Sequence, residues 1–89
     1  MSYTVVWTVS ALGQLAGVWT ASADRTAVTA ASHRLDVALG RDPRSQGESR
    51  GADTDRTAFE PPLGVDFEII EDDRKVRVLR VWSIRSPHP

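Results

Sequence analysis

The chain has no cysteine among its 89 residues. That absence excludes disulfides, thiolate metal ligation and a cysteine nucleophile together, and it suits a reducing cytoplasm. Only two histidines are present, His33 and His88, with no paired-histidine motif and no glycine-rich phosphate loop. No metal and no small-molecule cofactor is expected. Long apolar runs are missing too. The opening residues 1–19 are interrupted by Thr4, Thr8, Ser10 and Gln14 and have no basic start, so neither a signal peptide nor a membrane span is expected. Nor is there an excess of one charge. The formal net charge is −1, and no overall basic field points to nucleic acid.

What is present fits a folded domain. Hydrophobic residues make up 40% and charged residues 26%, a balance that disordered chains lack. The length allows one domain over residues 1–89, ordered over about 3–85, with a polar loop at 41–55 and a frayed tail at 86–89. So short a chain buries roughly two-thirds or less of its unfolded surface, and a bound partner would add to its stability by mass action.

The local patterns predict an order of elements. Residues 3–9 are β-branched and aromatic, with Tyr3, Val5, Trp7 and Val9 on one side; they predict a strand. Ser10 is positioned to cap a helix over about 10–20, with Leu12, Leu15 and Trp19 along one side. Ser22 is positioned to cap a second helix over about 23–39, ended by Gly40 and Pro43. Its Val28, Ala31, Leu35, Ala38 and Leu39 follow helical spacing, while Asp24 suits the positive end of the helix dipole. Residues 56–60 predict a short strand, and Pro61, Pro62, Leu63 and Gly64 a break. Residues 65–70 and 75–84 then read as a β-hairpin around Glu71, Asp72, Asp73 and Arg74. Strict alternation puts Val76, Val78, Trp82 and Ile84 on one side of the last strand and Leu79 and Val81 on the other. The result is an α+β fold, β-α-α-β-β-β, with a helical hairpin packed on a small, mostly antiparallel sheet.

Chemistry-bearing residues are few. His33 sits on the side of its helix away from Val28, Ala31 and Leu35 and reads as solvated; His88 lies in the tail. The acids at 71–73 read as turn residues, because a hard cation needs several converging oxygens. Trp7, Trp19 and Trp82 read first as core residues, with Trp82 set among basic neighbours. Charge is unevenly spread: residues 66–73 carry five acids, whereas residues 74–85 carry Arg74, Lys75, Arg77, Arg80 and Arg85 and no acid. With Arg50 and Arg56, these form a surface able to face phosphate or an acidic protein, since guanidinium groups bind both in forked geometry.

In this order of elements the chain resembles the RelE/ParE superfamily of type II toxin–antitoxin toxins over about residues 3–85. The resemblance runs through Tyr3–Trp7, Ala11, Leu12, Leu15 and Trp19, then Asp24, Arg25, Ala31, Leu35, Leu39 and Pro43. It continues in Gly47, Glu48, Ser49 and Arg50, in the stretch from Pro61 to Ile69, and in Val76 to Val81. It implies a microbial-RNase-like domain whose open sheet face acts on a target, and a cognate antitoxin that wraps and masks it. RelE-like members are mRNA interferases, endoribonucleases that cleave mRNA on the ribosome. ParE-like members instead poison DNA gyrase. The resemblance makes Arg85, Arg80, Arg56 and Arg50 the phosphate-contact candidates, with Arg85 near the C-terminal basic position of the nucleases. Gly64 stands where RelE-like enzymes carry an arginine, and His88 falls beyond Pro87, out of frame for a C-terminal acid–base residue. The sequence pI of about 6.0 is also low for that group. Three functions follow: a ribosome-dependent nuclease, a gyrase poison, or a catalytically degenerate relative that only binds a partner peptide, through an exposed sheet edge.

Overall fold

The computed structural model describes residues 2–52 and 54–84; the expected tail, with Arg85 and His88, lies outside them. The chain runs β1 (Thr4–Trp7), α1 (Val9–Ala21), α2 (Arg25–Arg41), a 3-10 turn (Pro43–Ser45), β2 (Glu48–Ser49), β3 (Asp55–Glu60), β4 (Leu63–Ile70) and β5 (Lys75–Ser83). The strands form one sheet ordered β1-β5-β4-β3-β2. β1 runs parallel to β5, and the other pairs are antiparallel. Both helices pack on one face, as the α+β reading expects. The polar stretch expected as a loop contains the 3-10 turn and β2. No helix among the described residues is long and apolar enough to cross a membrane.

The core lies between that face and the helices. Alternation along β4 sends Leu63, Val65, Phe67 and Ile69 inward, against Val28, Ala31, Leu35 and Leu39 of α2 and Ala11 of α1. Val76, Val78 and Val81 of β5 complete the cluster. Phe67 and Leu39 are fully buried, and each such side chain contributes about 1.5–3 kcal/mol by leaving water.

The helix ends differ from expectation by one or two residues. Thr8, not Ser10, caps α1: its Oγ1 accepts from Ala11 N at 3.1 Å and also donates to Val78 O at 2.9 Å. Docking on β5 therefore selects the cap, and Val9 becomes a helical residue, 88% exposed. Asp24, not Ser22, caps α2, accepting from Ala27 N at 3.0 Å. Ser22 ends α1 instead, and its Oγ accepts from Asp24 N. Gly40 does not end α2, which runs on to Arg41. It lies against β1, where Tyr3 N donates to its carbonyl at 2.7 Å. The stripe of α1 that meets the sheet is Ala11, Leu15 and Val18, rather than Leu12, Leu15 and Trp19; Leu12 is 52% and Trp19 42% exposed.

The later strands hold two further corrections. Only Pro61 and Pro62 make the turn between β3 and β4, and their peptide bond is cis; Glu60 pairs with Leu63, so Leu63 and Gly64 are strand residues. In β5 the register slips between Asp66↔Arg80 and Phe67↔Val78, leaving Leu79 as an extra residue. A bulge of this kind reverses the alternation beyond it. Val81 therefore joins Val76 and Val78 in the core, and Trp82 turns to the opposite face with Arg80. The three tryptophans do not meet. Trp7 packs against the core with its indole N–H on Asp36 Oδ1 at 3.0 Å, Trp19 borders the helices, and Trp82 lies across the sheet.

Candidate functional site: the open sheet face and the helical hairpin

The face of the sheet away from the helices is organised in cross-strand rows over β3, β4 and β5. One row is Phe59, Gly64 and Trp82; the next is Thr57, Asp66 and Arg80; the third is Asp55, Glu68 and Arg77. In the first, Gly64 has no side chain, and the Trp82 indole lies where a Cβ would stand, 2.6 Å from its ring atoms. Phe59, 61% exposed, meets Trp82 edge-on with ring centroids 6.3 Å apart, and the Arg80 guanidinium sits 5.8 Å from the Trp82 ring. Gly64 is thus the floor of an aromatic contact.

The middle row holds the buried charge of this face. Asp66 is the one buried charged residue among the described residues, 5% exposed. Its Oδ1 accepts from Thr57 Oγ1 at 2.6 Å, and its Oδ2 faces Arg50 Nη1 at 3.4 Å and Arg80 Nη1 at 3.6 Å. A carboxylate can remain buried when donors and opposite charge converge on it in this way. In the third row Glu68 Oε2 lies 3.6 Å from Arg77 Nη1. Arg77 and Arg80 of β5 therefore each face an acid of β4.

The predicted phosphate contacts separate. Arg50 and Arg80 come together, on Asp66. Arg56 occupies the alternate side of β3, beside Phe67 in register, and donates to the carbonyls of Gln46 and Gly47 at 2.9 Å each. It fastens the chain leading into β2, where Gly47 has φ +64° and a Cβ would run into the Thr57 carbonyl. Arg85 lies outside the described residues. No histidine or tyrosine side chain lies in these rows. His33 is exposed on α2, and the Tyr3 hydroxyl donates to Glu71 at 2.9 Å. Asp72 and Asp73 are exposed, and no cluster of three metal-ligating side chains occurs among the described residues.

A second feature was not foreseen. The two helices leave an open groove between them, lined by Leu12, Leu15, Ala16 and Trp19 of α1 and by Val28 and Thr29 of α2. Arg25 fixes one end: it stacks 4.6 Å from the Trp19 ring centroid and donates to the carbonyls of Trp19 and Thr20. Sequence reasoning found these apolar residues but assigned them to the core. The 100° step between residues, which sets Leu12 and Trp19 to one side of the Ala11–Leu15–Val18 stripe, carried the signal.

No protein-family model matches the sequence, and no curated protein matches it significantly. Solved structures do match in shape. The Mycobacterium tuberculosis RelBE2 toxin–antitoxin complex contains a chain that superposes with a TM-score of 0.75 at 21% identity, covering 93% of this chain and 99% of that one. A chain of the chromosomal ParDE system of P. aeruginosa gives 0.73 at 14% identity, over 94% and 98%. The isolated E. coli RelE toxin gives 0.69 at 17% identity, over 97% and 88%. At these identities the likeness is one of architecture, and it extends along almost the whole chain: this protein has the RelE/ParE fold.

Proposed function

We propose that this chain is the toxin-type component of a type II toxin–antitoxin pair, working in the cytoplasm and held by a cognate antitoxin that covers the helical hairpin. The observation that carries the reading is the apolar groove on a domain of this fold. Leu12 and Trp19 stand half exposed on an otherwise well-packed chain, and contiguous apolar surface of that kind marks a protein interface. The solved RelBE2 and E. coli RelBE structures are toxin–antitoxin complexes, which supports an antitoxin as the occupant here. An amphipathic helix is the element such a groove accepts.

The open face supports a reading of the mode of action. Cleavage of mRNA needs groups that move protons and cations that are free to meet phosphate. In the described rows Arg50 and Arg80 share the Asp66 carboxylate, Arg77 faces Glu68, and there is no histidine or tyrosine. Block of a protein target of the gyrase type is therefore better supported than ribosome-dependent cleavage. Induction of the gene alone in a bacterial host should arrest growth, and co-expression with the abutting reading frame should restore it and yield a complex on purification. Leu12→Ser with Trp19→Ser should abolish the complex while leaving the circular dichroism spectrum unchanged. Purified protein should inhibit gyrase supercoiling and leave mRNA on programmed ribosomes intact. Normal growth on induction, together with no complex, would overturn the proposal; mRNA cleavage would overturn the assigned mode of action.

A further inference from the structure

The donors around Asp66 form an anion cradle that the protein fills with its own carboxylate. Two guanidinium groups, Arg50 from the connection after β2 and Arg80 from β5, converge on one oxygen, and the Thr57 hydroxyl donates to the other. Arg80 remains 66% exposed along its side chain while the Asp66 side chain is only 7% exposed. The cationic side chains are thus at the surface, where a polyanion would meet them, and the acid sits beneath them. Two forked cations and a hydroxyl are the donor set that recognises a phosphodiester oxygen pair. Such a contact gains affinity only by neutralising phosphate and releasing its counterions. One carboxylate offsets one of these two charges, so the pair has less of that gain left, and a phosphate above it would face the Asp66 charge.

We propose that Asp66 is an internal phosphate mimic that makes this sheet face refuse nucleic acid, so that the loss of one negative charge at this position converts the face into a phosphodiester site. Position 66 thereby acts as a specificity-determining residue, selecting a protein surface over an RNA or DNA backbone. The bulge at Leu79 is part of the device. It brings Arg80, in place of Leu79, into register with Asp66. In an unbulged strand of the same sequence Leu79 would face Asp66 and Arg80 would turn to the helix side, leaving the acid with one cation. The inference concerns what the face binds and does not depend on the toxin reading.

The test is binding of a short fluorescein-labelled oligouridylate, followed by anisotropy across a range of salt. The wild-type chain should bind weakly. Asp66→Asn, which keeps the shape and the Thr57 contact, should bind about tenfold or more tighter at low salt, with a log–log salt slope steeper by about 0.7, as expected for one further phosphate neutralised on a single strand. Adding Arg80→Ala to that variant should remove most of the gain. Equal binding by wild type and Asp66→Asn would overturn the proposal. Should Asp66→Asn fail to fold, the wild-type protein still decides the matter. On addition of the oligonucleotide, the side-chain Nε–Hε resonances of Arg50 and Arg80 should stay in place, and a dose-dependent shift in them would overturn the proposal.

Discussion

Gly64 has its effect through the side chain it lacks. An added methyl group would stand 2.6 Å from Trp82 Cε2 and Nε1, so the indole would have to lift from the strand and give up its contacts with Phe59 and Arg80. Gly64→Ala should therefore destabilise the chain by about 1–3 kcal/mol, the usual cost of overpacking, and alter the near-ultraviolet circular dichroism of the tryptophans. An unchanged denaturation midpoint would show that the indole does not rest there. In sequence this glycine follows two prolines and a leucine and reads as part of a break, because nothing local records which side chain crosses from a strand 18 positions away. Asp66 was equally hard to read. The alternation Val65, Asp66, Phe67, Glu68, Ile69 correctly gives two acids on one face, but Asp66 meets Arg50 from the β2–β3 connection and Arg80 from beyond the β5 bulge, while Glu68 meets Arg77.

At the scale of elements, propensity located both helices and tertiary contact chose where they begin. Ser10 and Thr8 are both good caps. Thr8 prevails because its backbone N–H, like its hydroxyl, reaches the Val78 carbonyl at the point where β1 stops pairing with β5. Thr8→Ala should cost about 1 kcal/mol, whereas Ser10→Ala should leave the urea midpoint unmoved; the reverse order would restore Ser10 as the cap. α1 is joined to the sheet by a further contact of this kind. Val81 N–H, beyond the end of the β1 pairing, donates to Gln14 Oε1 at 2.7 Å. Gln14 had seemed only to interrupt an apolar run. The α2 face was legible almost residue for residue, since Val28, Ala31, Leu35 and Leu39 keep helical spacing over about three turns. The α1 stripe was misread because apolar residues occupy more than one of its faces.

Across the whole molecule, one polar clasp joins three distant pieces of chain. Glu71, at the tip of the β4–β5 hairpin, accepts from the Tyr3 hydroxyl just before β1 and from Arg44 Nε in the 3-10 turn at 2.7 Å. The Tyr3 hydrogen bond first, and Arg44 second, hold the Glu71 carboxyl below its ordinary value of 4.5. Its folded value lies below the unfolded one, so its contribution is complete above about pH 4.5 and is lost as pH falls through the folded value. For Tyr3 the sign reverses. The bond to Glu71 raises the phenol above 10.0, so that contribution is present below pH 10 and is lost as pH rises through the folded value. Thermal melts of the wild type should show an acid limb that Glu71→Gln makes shallower, and an alkaline limb that Tyr3→Phe makes shallower. Superimposable limbs would remove the clasp from the stability of the fold.

Composition and periodicity sufficed for the class of fold, the order of its main elements, the apolar faces of α2 and β4 and the absence of thiol chemistry. All of these depend on neighbours a few positions apart, which the chain carries locally. Only the tertiary structure decided which face of β5 bears Arg80 and Trp82, that Arg77 and Arg80 each face an acid, and that Leu12 and Trp19 line a groove. Each of these depends on register between strands or on the angle at which a helix docks. One inserted residue or a rotation of a fraction of a turn reassigns every side chain beyond it, and no local pattern encodes either.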